Sequence, residues 1–106
     1  MTEFKIDHSQ DEAINILSKR WNGLIICFLI NGKQRFHTIK SNLGISGRML
    51  SVRIKELERQ GIINREIIPT TPVRIEYSLT EKGLSFESIL IEIEKWSNKW
   101  ERSEQT

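Results

Sequence analysis

The chain has 106 residues, a net charge of +2 and one cysteine. That allows a single domain with one modest core, and it excludes an intrachain disulfide or a cysteine-rich metal site. With 38% hydrophobic and 28% charged residues it has an ordinary globular composition, and its longest apolar run, Leu24 to Ile30, falls well short of the roughly 18 residues of a membrane span.

Residues 1–10 carry no strong pattern and are expected to form a loose arm, without the basic, apolar, small-residue order of a secretion signal. A cytoplasmic protein is therefore expected. Residues 11–18 begin with Asp11 and Glu12 and place Ala13, Ile14 and Leu17 on one side, which predicts a short helix. Trp21 to Ile30 reads as a helix buried on most sides, with Trp21, Leu24, Ile25, Phe28 and Leu29 as core candidates and Asn31-Gly32 as its end. Cys27 lies inside this apolar helix and is expected to be a small buried hydrophobe, since a reactive thiol would be partly exposed and near cations. Lys33 to Phe36 is a short extended piece, a candidate third strand beside a later hairpin.

Thr38 to Leu43 is a short helical segment closed by Gly44-Ile45, and Ser46 then caps a second helix that runs to Gln60 and stops at Gly61. Two helices joined by so short a turn have helix-turn-helix spacing. In the second helix Leu50, Ile54 and Leu57 fall at i, i+4, i+7 and predict the core face, with Met49 at its edge. Arg48, Ser51, Val52, Lys55 and Arg59 point largely the other way, a mixture of cation, hydroxyl and methyl groups suited to reading a groove.

Ile62 to Ile68 follows at once, then the break Pro69-Thr70-Thr71-Pro72, then Val73, Ile75, Tyr77 and Leu79 alternating with Arg74, Glu76 and Ser78. That alternation is the mark of a half-buried strand. A helix-turn-helix followed by a hairpin predicts a winged helix, mainly α with a small β-sheet, in one domain whose core, helix-turn-helix and wing occupy residues 11–80. Charge is polarised along the chain: residues 33–75 hold nine Lys or Arg against three Glu, a local charge of +6, and the remainder is −4. Cations concentrated on the reading segment are what phosphate binding requires.

Thr80 is the next N-cap candidate, and a long helix is expected from Glu81 to Glu101, leaving 102–106 as a loose end. Ile89, Ile93, Trp96 and Trp100 lie at i, i+4, i+7, i+11, a stripe that must be covered. It either folds back on the first helices of its own chain or buries against the same helix of a second chain. The second option predicts a two-fold homodimer, because Trp and Ile left open would form an adhesive patch.

The order of these motifs resembles the HxlR family of bacterial transcriptional regulators. The matching residues are Trp21, Gly32 with Arg35-Phe36, Gly44-Ile45-Ser46, Arg48 to Ser51, Arg53, Leu57-Glu58, Gly61, Pro72, Glu76 to Thr80 and Gly83, over roughly residues 11–100. The resemblance implies a dimeric winged helix whose terminal helices build the dimer interface and which binds operator DNA. Two features depart from the family pattern. Many members have a cysteine thirteen residues before the tryptophan matched by Trp21, in some an oxidant or electrophile sensor, and this chain has His8 there. Val52 stands where a polar residue such as Gln is common, and Thr38 where Glu is frequent.

With the Ser46 to Gln60 helix in a major groove, roles follow from chemistry. Arg48 can fork onto O6 and N7 of guanine, a contact worth about 1 to 3 kcal/mol of discrimination. Ser46 and Ser51 suit phosphate oxygens, Lys55 is a point charge for phosphate, and Val52 offers apolar contact to a thymine methyl. Arg53 lies to the side, where pairing with Glu56 competes with DNA. Arg74, beside the wing turn Ile68 to Val73, suits a narrow minor groove. His8 and His37 lie far apart without a cysteine neighbour, so neither metal nor cofactor is expected. The sequence has no glycine-rich phosphate loop and no carboxylate pair with a histidine, which argues against an enzyme. The remaining alternative is a winged helix for protein contact alone, which would more often present an apolar or acidic face where this chain has Arg48, Lys55 and Arg74.

Overall fold

A computed structural model describes residues 3–5 and 8–104. Its elements in chain order are α1 (His8–Ser18), α2 (Asn22–Ile30), β1 (Gln34–Arg35), α3 (Phe36–Leu43), α4 (Gly47–Arg59), β2 (Ile63–Ile68), β3 (Arg74–Leu79), α5 (Glu81–Leu84) and α6 (Glu87–Glu104). The strands form one antiparallel sheet in the order β1-β3-β2, so Lys33 to Phe36 does supply a third strand, although Phe36 itself already opens α3. Among the described residues no single helix is long and apolar enough to cross a membrane.

Helix α1 begins a turn earlier than expected, at His8, which removes residues 8–10 from the arm; residues 1, 2, 6 and 7 lie outside the described residues. Lengthening an existing helix fixes one residue per bond gained, so no second nucleation is needed. At the joint to α2, Trp21 takes a left-handed conformation with φ 82° and is half-buried, with the Arg20 guanidinium 4.6 Å from its ring centroid. A bulky residue held there stores about 1 to 3 kcal/mol, so the surrounding packing must impose it. Asn22 next to it is fully buried and donates from Nδ2 to the carbonyl of Ile16 at 2.8 Å, tying the two helices together.

Helix α2 carries apolar residues all round, yet the core takes only one side of it. Ile25, Ile26 and Leu29 are buried, while Leu24 is 49% exposed and Cys27 is exposed as well. The apolar run by itself assigns both to the interior. One small domain provides neighbours for one face only, and Leu24 and Cys27, three residues apart, share the opposite one. Ile39 of α3, Leu50, Ile54 and Leu57 of α4, and Tyr77 and Leu79 of β3 complete the centre. Val73 precedes the strand and is 60% exposed, so the buried alternation begins only at Ile75.

The C-terminal segment is two helices rather than the single one expected from Glu81 to Glu101. Thr80 caps α5 as anticipated, its hydroxyl accepting from the amide of Gly83 at 3.0 Å. Gly83 presses on the carbonyl of Ile62 so closely that a Cβ would collide with it. The chain then turns at Ser85, where Phe86 N–H bonds back to the Gly83 carbonyl at 3.1 Å. Beyond this bend Phe86 and Leu90 are buried in the core. Helix α6 then continues to Glu104, beyond the expected end at Glu101.

Candidate nucleic-acid interface

Helix α3 ends on Gly44 at φ 69°, a conformation glycine adopts without Cβ strain, and only Ile45 and Ser46 separate it from α4. Ile45 is buried and anchors the turn. Ser46 accepts from Met49 N–H at 3.1 Å and fixes the start of α4. Its hydroxyl proton stays available for an acceptor outside. The helix closes at Gln60, followed by Gly61 at φ 74°.

Leu50, Ile54 and Leu57 are buried, each contributing about 1.5 to 3 kcal/mol on removal from water. The roll of α4 is thereby set, and Arg48, Val52, Lys55 and Arg59, at i, i+4, i+7, i+11, form an exposed line along its outer side. Val52 is 44% exposed within that line, and Ser51 is half-buried on its flank. Of the residues singled out from the sequence, the fold puts Arg48, Val52 and Lys55 in line on the outer side of α4 with Ser51 on the flank, while Ser46 stands at the helix N-terminus as its cap.

Arg53 is not among them. Its Nε donates to the carbonyl of Arg20 at 3.0 Å and its Nη1 lies 3.4 Å from Glu56 Oε2, the pairing with Glu56 foreseen from the sequence. Lys19 reaches the same carboxylate oxygen at 3.2 Å. The bond from Lys19 outweighs the opposing effect of burial, and Arg53 and Arg59 add to it, holding the Glu56 carboxyl below its ordinary pKa.

On the wing, Arg74 is exposed and its Nη2 lies 3.8 Å from Glu76 Oε2. The two side chains share one face of β3 by the period of two, and across the sheet Glu76 stands opposite both Arg35 and Glu66. Lys33 pairs with Glu66 at 2.9 Å, which raises the lysine pKa by that hydrogen bond. This side of the sheet carries a ladder of matched charges. The other side carries Arg65 opposite Tyr77, a residue the sequence reasoning left out although strand parity places it on the side of buried Ile63.

The helix stripe is open in the single chain. Ile89, Ile93, Trp96 and Trp100 are all exposed, and Ile14 and Leu24 near the same side are also uncovered. The chain's own first helices therefore do not cover the stripe. Cys27, though exposed to solvent, lines a groove with Leu90, Ile93 and Glu94, and partial desolvation there, followed by the Glu94 carboxylate, raises its thiol pKa from the ordinary value of 9.0. Among the described residues no three His, Cys, Asp or Glu side chains gather as metal ligands would.

A family model for HxlR-like helix-turn-helix proteins matches residues 16–105. The chain is 55% identical over 91 residues to YvaP of Bacillus subtilis, described as an uncharacterized HTH-type transcriptional regulator, covering 85% of this chain and 84% of that one. It is 42% identical over 91 residues to the HTH-type transcriptional regulator YodB of the same organism, covering 85% and 81%. Among solved structures, reduced YodB superposes with a TM-score of 0.83 at 39% identity, covering 91% of this chain and 95% of that one. The redox regulator HypR in its oxidized form superposes with a TM-score of 0.80 at 31% identity, covering 87% and 96%. With the capped reading helix, the three-stranded wing and these relatives in agreement, the chain belongs to the HxlR-like helix-turn-helix family of DNA-binding transcriptional regulators.

Proposed function

We propose that this regulator binds operator DNA as a two-fold homodimer, with α4 in the major groove of each half-site, the wing turn near the flanking minor groove, and no catalytic step. The observation that carries the reading is the pair of faces on α4: Leu50, Ile54 and Leu57 are buried while Arg48, Val52 and Lys55 stand exposed in line. Arg48 reads guanine, Val52 meets a thymine methyl, and Ser46, Ser51 and Lys55 hold phosphates. Arg74 takes the minor-groove role at the cost of its loose contact with Glu76.

Dimerisation rests on the open stripe of Ile89, Ile93, Trp96 and Trp100, too large an apolar surface to leave in water. Two-fold symmetry requires half-sites about 34 Å apart along the duplex, or a multiple of that distance. Selection of bound fragments from a random DNA pool tests the reading. An inverted repeat with that spacing supports it, and recovery of no enriched sequence overturns it.

YodB is known in reduced, diamide-treated and quinone-bound forms, and HypR in oxidized and reduced forms. In this chain the only thiol is Cys27 on α2, with a raised pKa. We assign it no sensing role.

A further inference from the structure

Between α4 and the wing lies an open cleft of about 370 Å³, lined by Phe36, Ser51, Ile54, Lys55, Glu58, Arg65 and Tyr77. Its position follows from the register of the hairpin. Ile63, Arg65 and Ile67 point to one side of β2, opposite Leu79, Tyr77 and Ile75 of β3. Ile63 and the Tyr77 ring are buried, so this is the side that packs on the helices, and Arg65 emerges just past the rim of the core, facing α4.

Among the described residues some cations are neutralised and others, Arg48 and Arg59 on α4 among them, have no carboxylate within ion-pair distance. Lys19 is paired with Glu56, Lys33 with Glu66 and Arg74 with Glu76. Among the described residues, neither Arg65 nor Lys55 has a carboxylate within ion-pair distance, although Glu58 lines the same cleft. Two open cations against one carboxylate leave the cleft with a net charge of +1, and the Ser51 hydroxyl stands beside them. A planar guanidinium from the strand wall, with an ammonium and a hydroxyl from the helix wall, makes a chemistry suited to a phosphodiester oxygen pair. The cleft also adjoins the exposed line of Arg48, Val52 and Lys55, so a duplex strand laid along α4 passes its mouth.

We infer that the α4–β2 cleft seats the phosphate backbone of bound DNA, with Arg65 supplying a phosphate contact additional to that of Lys55. The inference rests on the DNA-binding reading proposed above and adds to it a residue and a place. Arg65 fixes the wing against the duplex backbone and carries no base preference, so its loss lowers affinity without changing which sequence is preferred.

The test compares the full-length wild type with Arg65→Ala, Arg65→Lys and Arg48→Ala, each titrated against the best duplex from a random pool and against a scrambled duplex from 50 to 200 mM salt. Arg65→Ala removes one phosphate contact from each half-site, so it is expected to weaken both duplexes alike and to lower the salt slope by about 1.8, which over this fourfold rise in salt is about 12-fold less affinity lost than in the wild type. Arg65→Lys keeps the slope, because the charge stays. Unchanged thermal melting of Arg65→Ala, whose side chain is exposed, separates this loss from misfolding. A wild-type slope in Arg65→Ala alongside a specificity defect in Arg48→Ala overturns the seat and leaves the DNA reading standing. A wild type indifferent to both duplexes at 50 mM salt overturns both.

Discussion

Arg53 of the reading helix donates from Nε to the backbone carbonyl of Arg20, 3.0 Å away and 33 residues earlier in the chain. With Glu56 and Lys19 it pins α4 to the joint between α1 and α2, where Trp21 holds its left-handed backbone. The groove beside this joint is also lined by Ile93 and Glu94 of α6. Helix α4 and the helix that carries the open apolar stripe thus both border the joint between α1 and α2. Arg53→Ala leaves the Arg20 carbonyl and the Glu56 carboxylate short of a partner and should destabilise the fold by about 1.5 to 3 kcal/mol, the range for a charged hydrogen bond. Urea unfolding at constant m-value checks it, and a midpoint equal to that of the wild type refutes it.

The same network sets a pH dependence. Glu56 has its folded pKa below its ordinary value of 4.5, chiefly through the Lys19 hydrogen bond. A depressed carboxyl pKa contributes stability that is fully present above the unfolded value and is lost as pH falls through the folded one. Stability should therefore decline below about pH 4.5, less steeply in Glu56→Gln than in the wild type. Lys19 is exposed and Glu56 half-buried, so solvent screens the pair and the difference is small. Parallel curves for the two proteins between pH 5 and pH 3 would exclude it.

On the reading face, Arg48→Ala and Lys55→Ala should fail differently. Loss of a bidentate guanine contact costs about 1 to 3 kcal/mol on the preferred duplex and relaxes preference at one base pair per half-site. Loss of Lys55 should weaken every duplex alike and lower the salt slope by about 0.9 per contact, about 1.8 for a dimer on two half-sites. Binding isotherms at several salt concentrations distinguish the two; identical behaviour would remove the assignment.

Burial of the α6 stripe between two chains predicts that Ile93→Glu or Trp96→Glu, each at an exposed position of the single chain, converts the protein to a folded monomer. Sedimentation at tens of micromolar should show the wild type as a dimer and the variants as monomers with weakened operator binding. A monomeric wild type at that concentration rules the dimer out.

Cys27 should behave as a poor nucleophile. Its pKa is raised above 9.0 by burial and then by Glu94, so the reactive thiolate is scarce at neutral pH. Alkylation by iodoacetamide should still be accelerating at pH 9, and Glu94→Gln should speed it modestly at pH 8, since only the lesser cause is removed. Peroxide treatment of the pure protein should leave DNA binding intact. Loss of binding in the wild type but not in Cys27→Ala would reinstate the thiol as a sensor.

The sequence by itself determined the winged helix. Ser46 and Thr80 cap their helices as their positions implied, Gly44 and Gly61 end the helices they were read to end, Gly61 with the left-handed backbone expected of it, and Leu50, Ile54 and Leu57 turn inward together. Such features lie within a few residues of one another, where periodicity and capping chemistry act directly.

Tertiary structure alone decided which apolar side of α2 would be covered, leaving Leu24 and Cys27 outside, and where the last helix would bend to bury Phe86. It also decided which cations would be neutralised: Arg53 found a carbonyl 33 residues away and Arg74 found Glu76, while Arg65 stayed open across a cleft from Lys55. A repeat of 3.6 or 2 residues states which side chains share a face. What lies opposite that face depends on segments distant in the chain, and those meet only when the core closes.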